Sequence, residues 1–449
     1  MSVFSKAGSG IAIFAASALV LAGCAAAEEE TTTATEEAPA ATETAEAEIC
    51  GPDAVGAIEA VDPIAPPEAL DREVTLTLGS ILPVTGNLAF LGPPEIAGVD
   101  LAVAEINASE SGVLGGNVEI LHRDSGDTTT DIATQSATEL INAGASGVIG
   151  AASSSVSFTF IDQLAAAGVV HFSPANTSPR FSDYEDDGYY FRTAPSDVLQ
   201  GRILGNLITQ DGNQRIGVLY LNDDYGIGLY ENARTAIEAA GSEVVAAEPY
   251  SAGDNVLSAQ IDAILAESPD AIIVLAFDEI KVAVPELVNT KGFDGGKIYL
   301  VDGNLADYSA DFEAGTLNCA KGTLPGVLPT AEDRAALFGI NPDLTEFAYA
   351  NESYDATIIM ALAAVQAGST EGSAIRDNIA SVTRDGEKCT TFQDCVTLIE
   401  AGEDIDFDGR SGPITMDENG DPTEAYIGIY QYGQDNTYAP LEVVYGNLD

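Results

Sequence analysis

The segment Gly147-Val148-Ile149-Gly150-Ala151-Ala152-Ser153-Ser154-Ser155 and, one helix length later, Gly168-Val169-Val170-His171-Phe172-Ser173-Pro174-Ala175-Asn176-Thr177 decide the architecture. Each apolar run reads as a strand buried on both faces, and each ends in a hydroxyl-rich turn. The interval between them predicts a helix from about Ser155 to Ala167, so the unit is a right-handed parallel crossover. In open parallel sheets ligands sit beyond the carboxyl ends of the strands, which directs both turns into one crevice. Serine is a favoured helix N-cap and Pro-Ala-Asn-Thr is ordinary turn composition, so local structure alone explains either turn. Their recurrence at successive strand ends is what points to a site, where hydroxyls and free helix N-terminal amides receive an anion.

The same alternation extends outward in both directions, the signature of parallel sheets with helices on both faces. Val74 to Ile81 reads as a strand, and a helix from about Pro94 carries Ile96, Val99, Val103 and Ile106 on one face. A strand at Val118 to Leu121 and a helix from Asp131 to Asn142 follow. The pattern restarts at Arg215 to Leu221, with a helix from Gly228 to Ala240, a strand at Val244-Val245, a helix near Val256 to Ala266 and a strand from Ala271 to Phe277. Two such series predict two lobes. Helices from Thr345 to Ala367 and Phe392 to Ala401 precede a hairpin expected around Asn419-Gly420.

Taken in order, several short motifs resemble the type I periplasmic binding proteins of ABC importers, in the leucine/isoleucine/valine-binding branch. They are Gly79 to Gly86, Gly98 to Asn107, Gly112 to Gly116, the Ser-Ser and Pro-Ala-x-Thr turns between Gly150 and Pro179, Asp224-Tyr225-Gly226, Glu352 to Ala356 and Gly409 to Pro413. The resemblance runs from about Val74 to the C-terminus. It implies an α/β, two-lobed fold, each lobe a parallel sheet with helices on both faces, joined by three crossover hinge strands near Ala194-Pro195, Lys321 to Pro325 and Gly409 to Pro413. Lobe 1 is then 74–195 with 325–409, and lobe 2 is 196–324 with 410–449.

The resemblance also implies a ligand set. Ser154 and Thr177 would give hydroxyls to a ligand carboxylate and Ala175 backbone groups, while Tyr225 closes over the ligand from the second lobe and Phe277 forms an aromatic wall. Asp302, after the run Lys297 to Val301, stands where the family takes the ligand ammonium with a glutamate, so its side chain is one methylene shorter. Leu91 and Tyr349 complete the expected pocket wall. The function implied is a solute receptor for a small, branched-chain amino acid, partnered by an ABC permease with cytoplasmic ATPases, monomeric and without cofactor. The same fold holding a short amide, a urea-like compound or an aromatic acid, and a tethered sensor that signals without transport, stay open.

Residues 1–23 read as a signal peptide: Lys6 precedes an apolar stretch from Ile11 that ends in Leu21-Ala22-Gly23-Cys24, too short to span a bilayer. Small residues before Cys24 resemble a bacterial lipoprotein processing site, which implies lipidation of that cysteine and a protein held on the outer face of the cytoplasmic membrane. Residues 25–48 contain only Ala, Glu, Thr and one Pro, with eight glutamates, and read as an extended acidic tether. The remainder, 49–449, carries 71 − 8 = 63 acidic and 17 − 1 = 16 basic residues, a formal charge of −47. Phosphate contacts need clustered Lys and Arg, so nucleic-acid binding is excluded.

Four cysteines remain after Cys24, an even number in an oxidising compartment. Cys389 and Cys395 enclose a five-residue loop and are natural partners, which leaves Cys50 for Cys319. Other motifs fail on inspection. Asp404-x-Asp406-x-Asp408-Gly409 starts like a calcium loop, but its twelfth position is Thr415. His122-Arg123-Asp124 echoes a kinase catalytic loop with Thr129 in place of the required Asn. With His122 and His171 the only histidines and no Gly-x-Ser-x-Gly elbow in the mature chain, no enzyme activity and no metal site are expected, and His171 reads as a satisfied core histidine.

Overall fold

The computed structural model describes residues 49–448; the leader, Cys24 and the acidic tether lie outside them. The strands are β1 (Val74–Leu82), β2 (Asn117–Asp124), β3 (Gly147–Gly150), β4 (Val170–Ser173), β5 (Tyr190–Arg192), β6 (Arg215–Leu221), β7 (Glu243–Tyr250), β8 (Ala271–Leu275), β9 (Ile298–Leu300), β10 (Lys321–Pro325), β11 (Glu387–Cys389), β12 (Ile405–Phe407), β13 (Glu424–Tyr432) and β14 (Tyr438–Asn447). The first lobe is built on a wholly parallel sheet, β2-β1-β3-β4-β5. The second lobe holds β14-β13-β10-β9-β8-β6-β7, parallel from β10 to β7 and closed at one edge by the antiparallel pair β13–β14.

Both faces of the first sheet are covered, which is why β3 and β4 are buried at every position. Leu78, Ile149 and Phe172 pack against the helices Gly92–Ala108 and Ala350–Ala367. The alternating set Ile81, Val148 and Val169 packs against Ile132–Ala143 and Ile161–Ala167. Ala350–Ala367 is buried from Ala350 through Ala364, because it lies against the sheet on one side and the helices Gly372–Ile379 and Phe392–Ala401 on the other.

The expected helix from Ser155 to Ala167 is interrupted: it forms as Ser154–Ser157 and Ile161–Ala167. Phe158 stacks on Phe181 at 4.1 Å between ring centroids, whereas Phe160 is buried beside His171, and the two anchors pull the chain out of one helical path. The helix expected from Thr345 begins at Ala350, after Tyr349 takes a left-handed conformation with φ of 60°. The segment Lys321 to Pro325 is a full strand of the second sheet, so the chain leaves that sheet at Gly326. At Gly326, φ is 83° and a Cβ would lie 2.0 Å from a Glu352 carboxylate oxygen, so only glycine fits this passage. Asn419-Gly420 does not join two strands. It sits in a small turn closed by the Met416–Pro422 bridge, while the long hairpin β13–β14 turns at residues 433–437.

A buried ion pair explains where that small turn goes. The Arg192 guanidinium at the end of β5, wholly buried, meets the Asp421 carboxylate at 2.6 and 2.9 Å. Arg192 also donates to the carbonyls of Ser178 (2.8 Å) and Asn176 (3.3 Å), and Gly420 accepts the Arg192 backbone amide at 3.0 Å. Both disulfides expected from the sequence are present, Cys50–Cys319 and Cys389–Cys395. No single helix among the described residues is long and apolar enough to cross a membrane.

Two predictions follow from these burials. Replacing Asp421 with Ala strands the Arg192 charge, and loss of one member of a buried pair costs about 3–5 kcal/mol, so the urea midpoint falls steeply while Asp421→Asn falls less. The second concerns two carboxyls, Glu95 and Glu352, buried near Gly326. Burial, with the neighbouring Glu352 charge, pushes Glu95 well above the usual carboxylate range, and burial pushes Glu352 up to about 8. Folding then retains protons that the unfolded chain releases, so this contribution is full below about pH 4.5 and is lost as pH rises through about 8. In urea titrations across pH 5–8, Glu352→Gln flattens that decline relative to the wild type.

Candidate functional site

In each sheet the strand order reverses beside its first strand: β2 and β3 flank β1, and β7 and β8 flank β6. Such switch points leave a crevice at the carboxyl ends of the strands. The two crevices face each other. Leu88 and Leu91 follow β1, Ala152, Ser153 and Ser154 follow β3, and Ala175 follows β4; from the second lobe Tyr225 follows β6, Phe277 follows β8, and Asp302 and Gly303 follow β9. Tyr349, turned by its left-handed backbone at the start of the long first-lobe helix, joins them around one cavity of about 10 Å³.

The first-lobe turns are welded to each other. Asn176 donates its side-chain amide to the carbonyls of Ala151 and Ala152, both at 2.9 Å, and Ser173 donates to Ala151 at 2.8 Å. The Ser154 hydroxyl accepts the Ser178 amide at 3.2 Å. The turn bearing Ala175 is therefore fixed relative to the turn bearing Ser154, and Arg192 clamps it from behind through the carbonyls already named.

Opposite stands Asp302. One of its oxygens accepts the Tyr225 hydroxyl (2.6 Å) and the Gln200 amide (3.0 Å), and the other accepts the Tyr349 hydroxyl (2.7 Å). Burial raises the Asp302 carboxyl above its ordinary range, and the bonds from Tyr225, Tyr349 and Gln200 pull it back down. Tyr225 stacks on Phe277 with ring centroids 5.2 Å apart. Lobe-to-lobe contacts close the mouth: Ser155 donates to Asp223 at 3.1 Å and accepts the Asp224 amide at 3.0 Å, Asn87 donates to Glu279 at 3.4 Å, and Arg180 pairs with Asp224.

Seven of the eight residues expected in the pocket, Ser154, Ala175, Tyr225, Phe277, Asp302, Leu91 and Tyr349, line this cavity. Thr177 does not: it is wholly buried beside Asp197, whose backbone amide donates to its carbonyl at 2.7 Å, and its hydroxyl makes no well-formed hydrogen bond. Asp197 and Gln200 were missed in the sequence. They begin the helix Asp197–Gln210, capped by Ser196, and their i, i+3 spacing after Pro195-Ser196 places both on the face that meets Asp302. Burial and the Asp302 charge push the Asp197 carboxyl well above its usual range.

Elsewhere a Ser80–His122–Asp100 series has the residue types of a hydrolytic triad, at 2.7 and 2.9 Å. Ser80 is buried inside β1, where no substrate carbonyl reaches it. His171 is buried with Nε2 2.6 Å from the Gly150 carbonyl, and desolvation lowers its pKa to about 3, so it is a neutral core residue. The calcium-like acidic run is mostly strand β12, with Lys388 bridging Asp406 (3.0 Å) and Asp408 (2.9 Å).

Comparison with known proteins bears on the family and the fold. A family model described as periplasmic binding protein matches residues 75–436. The chain is 26% identical over 78% of its length, and 86% of the relative's, to the chemotactic signal transduction system substrate-binding protein BasB of Halobacterium salinarum. It is 30% identical over 42% of its length, and 50% of the relative's, to a leucine-, isoleucine-, valine-, threonine- and alanine-binding protein of Pseudomonas aeruginosa. Its fold matches the branched-chain amino acid transporter substrate binding protein LivJ of Streptococcus pneumoniae with a TM-score of 0.68, covering 83% of this chain and 100% of that one at 23% identity. The chain belongs to the periplasmic binding protein family.

Proposed function

We propose that this protein is the lipid-anchored solute receptor of an ABC importer and that it encloses a branched-chain amino acid between its lobes. One observation carries the reading: a buried carboxylate, Asp302, stands across a single cavity from the fixed hydroxyl and backbone groups of Ser154 and Ala175. A zwitterion has the matching poles, an ammonium for Asp302 and a carboxylate for the serine turn. Leu88, Leu91, Ala152 and Phe277 supply an apolar wall for an aliphatic side chain. The Pseudomonas and Streptococcus proteins, named for leucine, isoleucine and valine or solved with isoleucine, support the ligand class. Anchoring rests on Cys24, and the permease and its ATPases on the family.

A cavity of about 10 Å³ holds no more than one water, so a branched-chain amino acid enters as the lobes part, and its ammonium then exchanges one or more of the Tyr225, Tyr349 and Gln200 bonds to Asp302 for the charged one. The hydroxyl and amide donors bring no charge, whereas an ammonium brings a full positive charge to the buried carboxylate, which makes the exchange favourable for an amino acid and unfavourable for a plain acid.

Titration calorimetry of wild type and Asp302→Ala against isoleucine and its deaminated analogue, 3-methylpentanoate, tests this. A buried ammonium without its partner costs about 3–5 kcal/mol, so the variant loses isoleucine by a hundredfold or more. Binding of 3-methylpentanoate is unchanged or stronger. Wild-type preference for the deaminated acid, or equal loss of both ligands in a folded variant, removes the amino-acid reading. Isoleucine affinity also falls on acidification, because protonating Asp302, whose carboxyl burial holds high, removes the ammonium's partner.

The Halobacterium relative is described as part of a chemotactic signal transduction system, which favours a second reading: a tethered sensor. Isoleucine uptake by cells lacking this protein separates the two. Uptake falls if it serves an importer, whereas unchanged uptake with lost chemotaxis toward isoleucine establishes the sensor.

A further inference from the structure

The segment 49–73 precedes the family-matched region, yet it touches both lobes. At its start Cys50 is bonded to Cys319, between β9 and β10 of the second lobe. Gly51, at φ of 60°, lies so close to the β13–β14 turn that a Cβ would sit 2.3 Å from the Gly433 amide nitrogen, and the turn Pro52–Val55 packs on β14. The segment then crosses to the first lobe. Glu59 accepts from the Arg334 guanidinium at 3.0 Å, Ile64 donates to the Ala335 carbonyl at 2.8 Å, and Leu70 donates to Asn107 at 2.9 Å. Arg72 finishes the attachment with bonds to Asn107 (2.7 Å), Ser109 (3.0 Å) and Asn117 (3.0 Å).

Between these seats the segment is hardly packed. Most of residues 53–71 are exposed, and a cavity of about 520 Å³ lies under Ala57 to Val61, walled by Phe338 and Phe347 of the first lobe and by Asp307 and Tyr438 of the second. A chain held at its two ends and open in the middle owes its place to the end attachments. The first-lobe end runs directly into β1, and on the second lobe the covalent attachment is Cys50–Cys319.

We infer that residues 49–73 are a clasp across the two lobes, locked to the second by Cys50–Cys319, that limits how far the cleft opens. Because the segment is seated on both lobes, any lobe motion that carries Cys319 away from Arg334 and Ala335 must stretch or detach it. With the disulfide intact the second-lobe seat does not detach, and unwinding the four residues Pro52–Val55 adds about 7 Å of reach. Wider opening breaks the Arg334 and Ala335 bonds. Without the disulfide, Gly51 and the short turn lift off β14 and the limit disappears. A restraint that disfavours the open state raises the apparent affinity of any ligand held by the closed one.

The test compares ligand-free wild type with Cys50→Ser/Cys319→Ser, which leaves Cys389–Cys395 in place, by small-angle X-ray scattering. A second variant, Ile64→Pro, keeps the disulfide and removes the first-lobe bond to Ala335. Both are expected to show a larger radius of gyration without ligand, and the combined variant no more than the cysteine variant. An unchanged scattering profile in either folded variant overturns the clasp. The affinity arm rests on the amino-acid reading: isoleucine binding is expected to weaken about fivefold to thirtyfold, the equivalent of one or two hydrogen bonds. If wild type does not bind isoleucine, that reading fails, and the ligand-free scattering still decides the clasp.

Discussion

A guanidinium buried at the end of a strand has to be answered by a carboxylate, and much of this protein is arranged around that demand. Arg192 is the largest fully buried side chain among the described residues, and its partner Asp421 comes from 229 residues away. The pairing brings the small turn at Asn419-Gly420 onto the first lobe before the chain enters β13. It also leaves Arg192 donors for the Asn176 and Ser178 carbonyls, so the turn carrying Ala175 is held by a charge-assisted clamp. The cost of burying the pair is repaid only with all of these partners in place. A rigid first-lobe face of the cavity is the consequence.

The cavity's other face obeys a different constraint. The folded part of the chain has a formal charge of −47, and several carboxyls are forced inside it. Burial pushes Glu95, Asp197, Glu346 and Glu352 upward, Glu346 to about 7, toward protonated and neutral forms. Asp302 has a stronger counterweight. Three donors converge on it, from Gln200, Tyr225 and Tyr349, and oppose its desolvation. It is the acidic residue in the lining of the cavity itself, whereas Asp223, Asp224 and Glu279 stand at the mouth with donors of their own.

The strand-helix alternation and the residues at strand ends were legible because they are written locally. Buried parallel strands are apolar at every position, and the positions just beyond them open onto the crevice, which is where Ser154, Ala175, Tyr225, Phe277 and Asp302 stand. The ligand roles of these residues, like those of Leu91 and Tyr349, are what the family resemblance implies. Thr177 was misplaced relative to the cavity because a turn's sequence does not state which side chain points outward. Gln200 is not legible because a Pro-Ser-Asp start reads as an ordinary helix cap, and its bond to Asp302 reaches across 102 residues of sequence. The Asn419-Gly420 hairpin failed for a related reason: a strong local turn signal was captured by Arg192, a tertiary partner.

Tyr349 links the cleft to the rear of the molecule. Its left-handed backbone ends the loop that follows the helix Ala331–Ile340, and that loop also sends Glu346 to the Asp307 amide and the Tyr438 hydroxyl of the second lobe, both at 2.7 Å. Residues 341–349 are therefore a first-lobe segment bonded to the second lobe at Glu346 and, inside the cleft, at Asp302. The helix from which it departs carries the Arg334 and Ala335 bonds to residues 59 and 64. Opening the lobes breaks or carries along this loop, so the side chain that holds one oxygen of Asp302 moves with the same backbone that anchors the N-terminal segment. The Asp302 hydrogen bond in the cleft and the lobe-to-lobe bonds of Glu346 are thus two ends of one short stretch of chain.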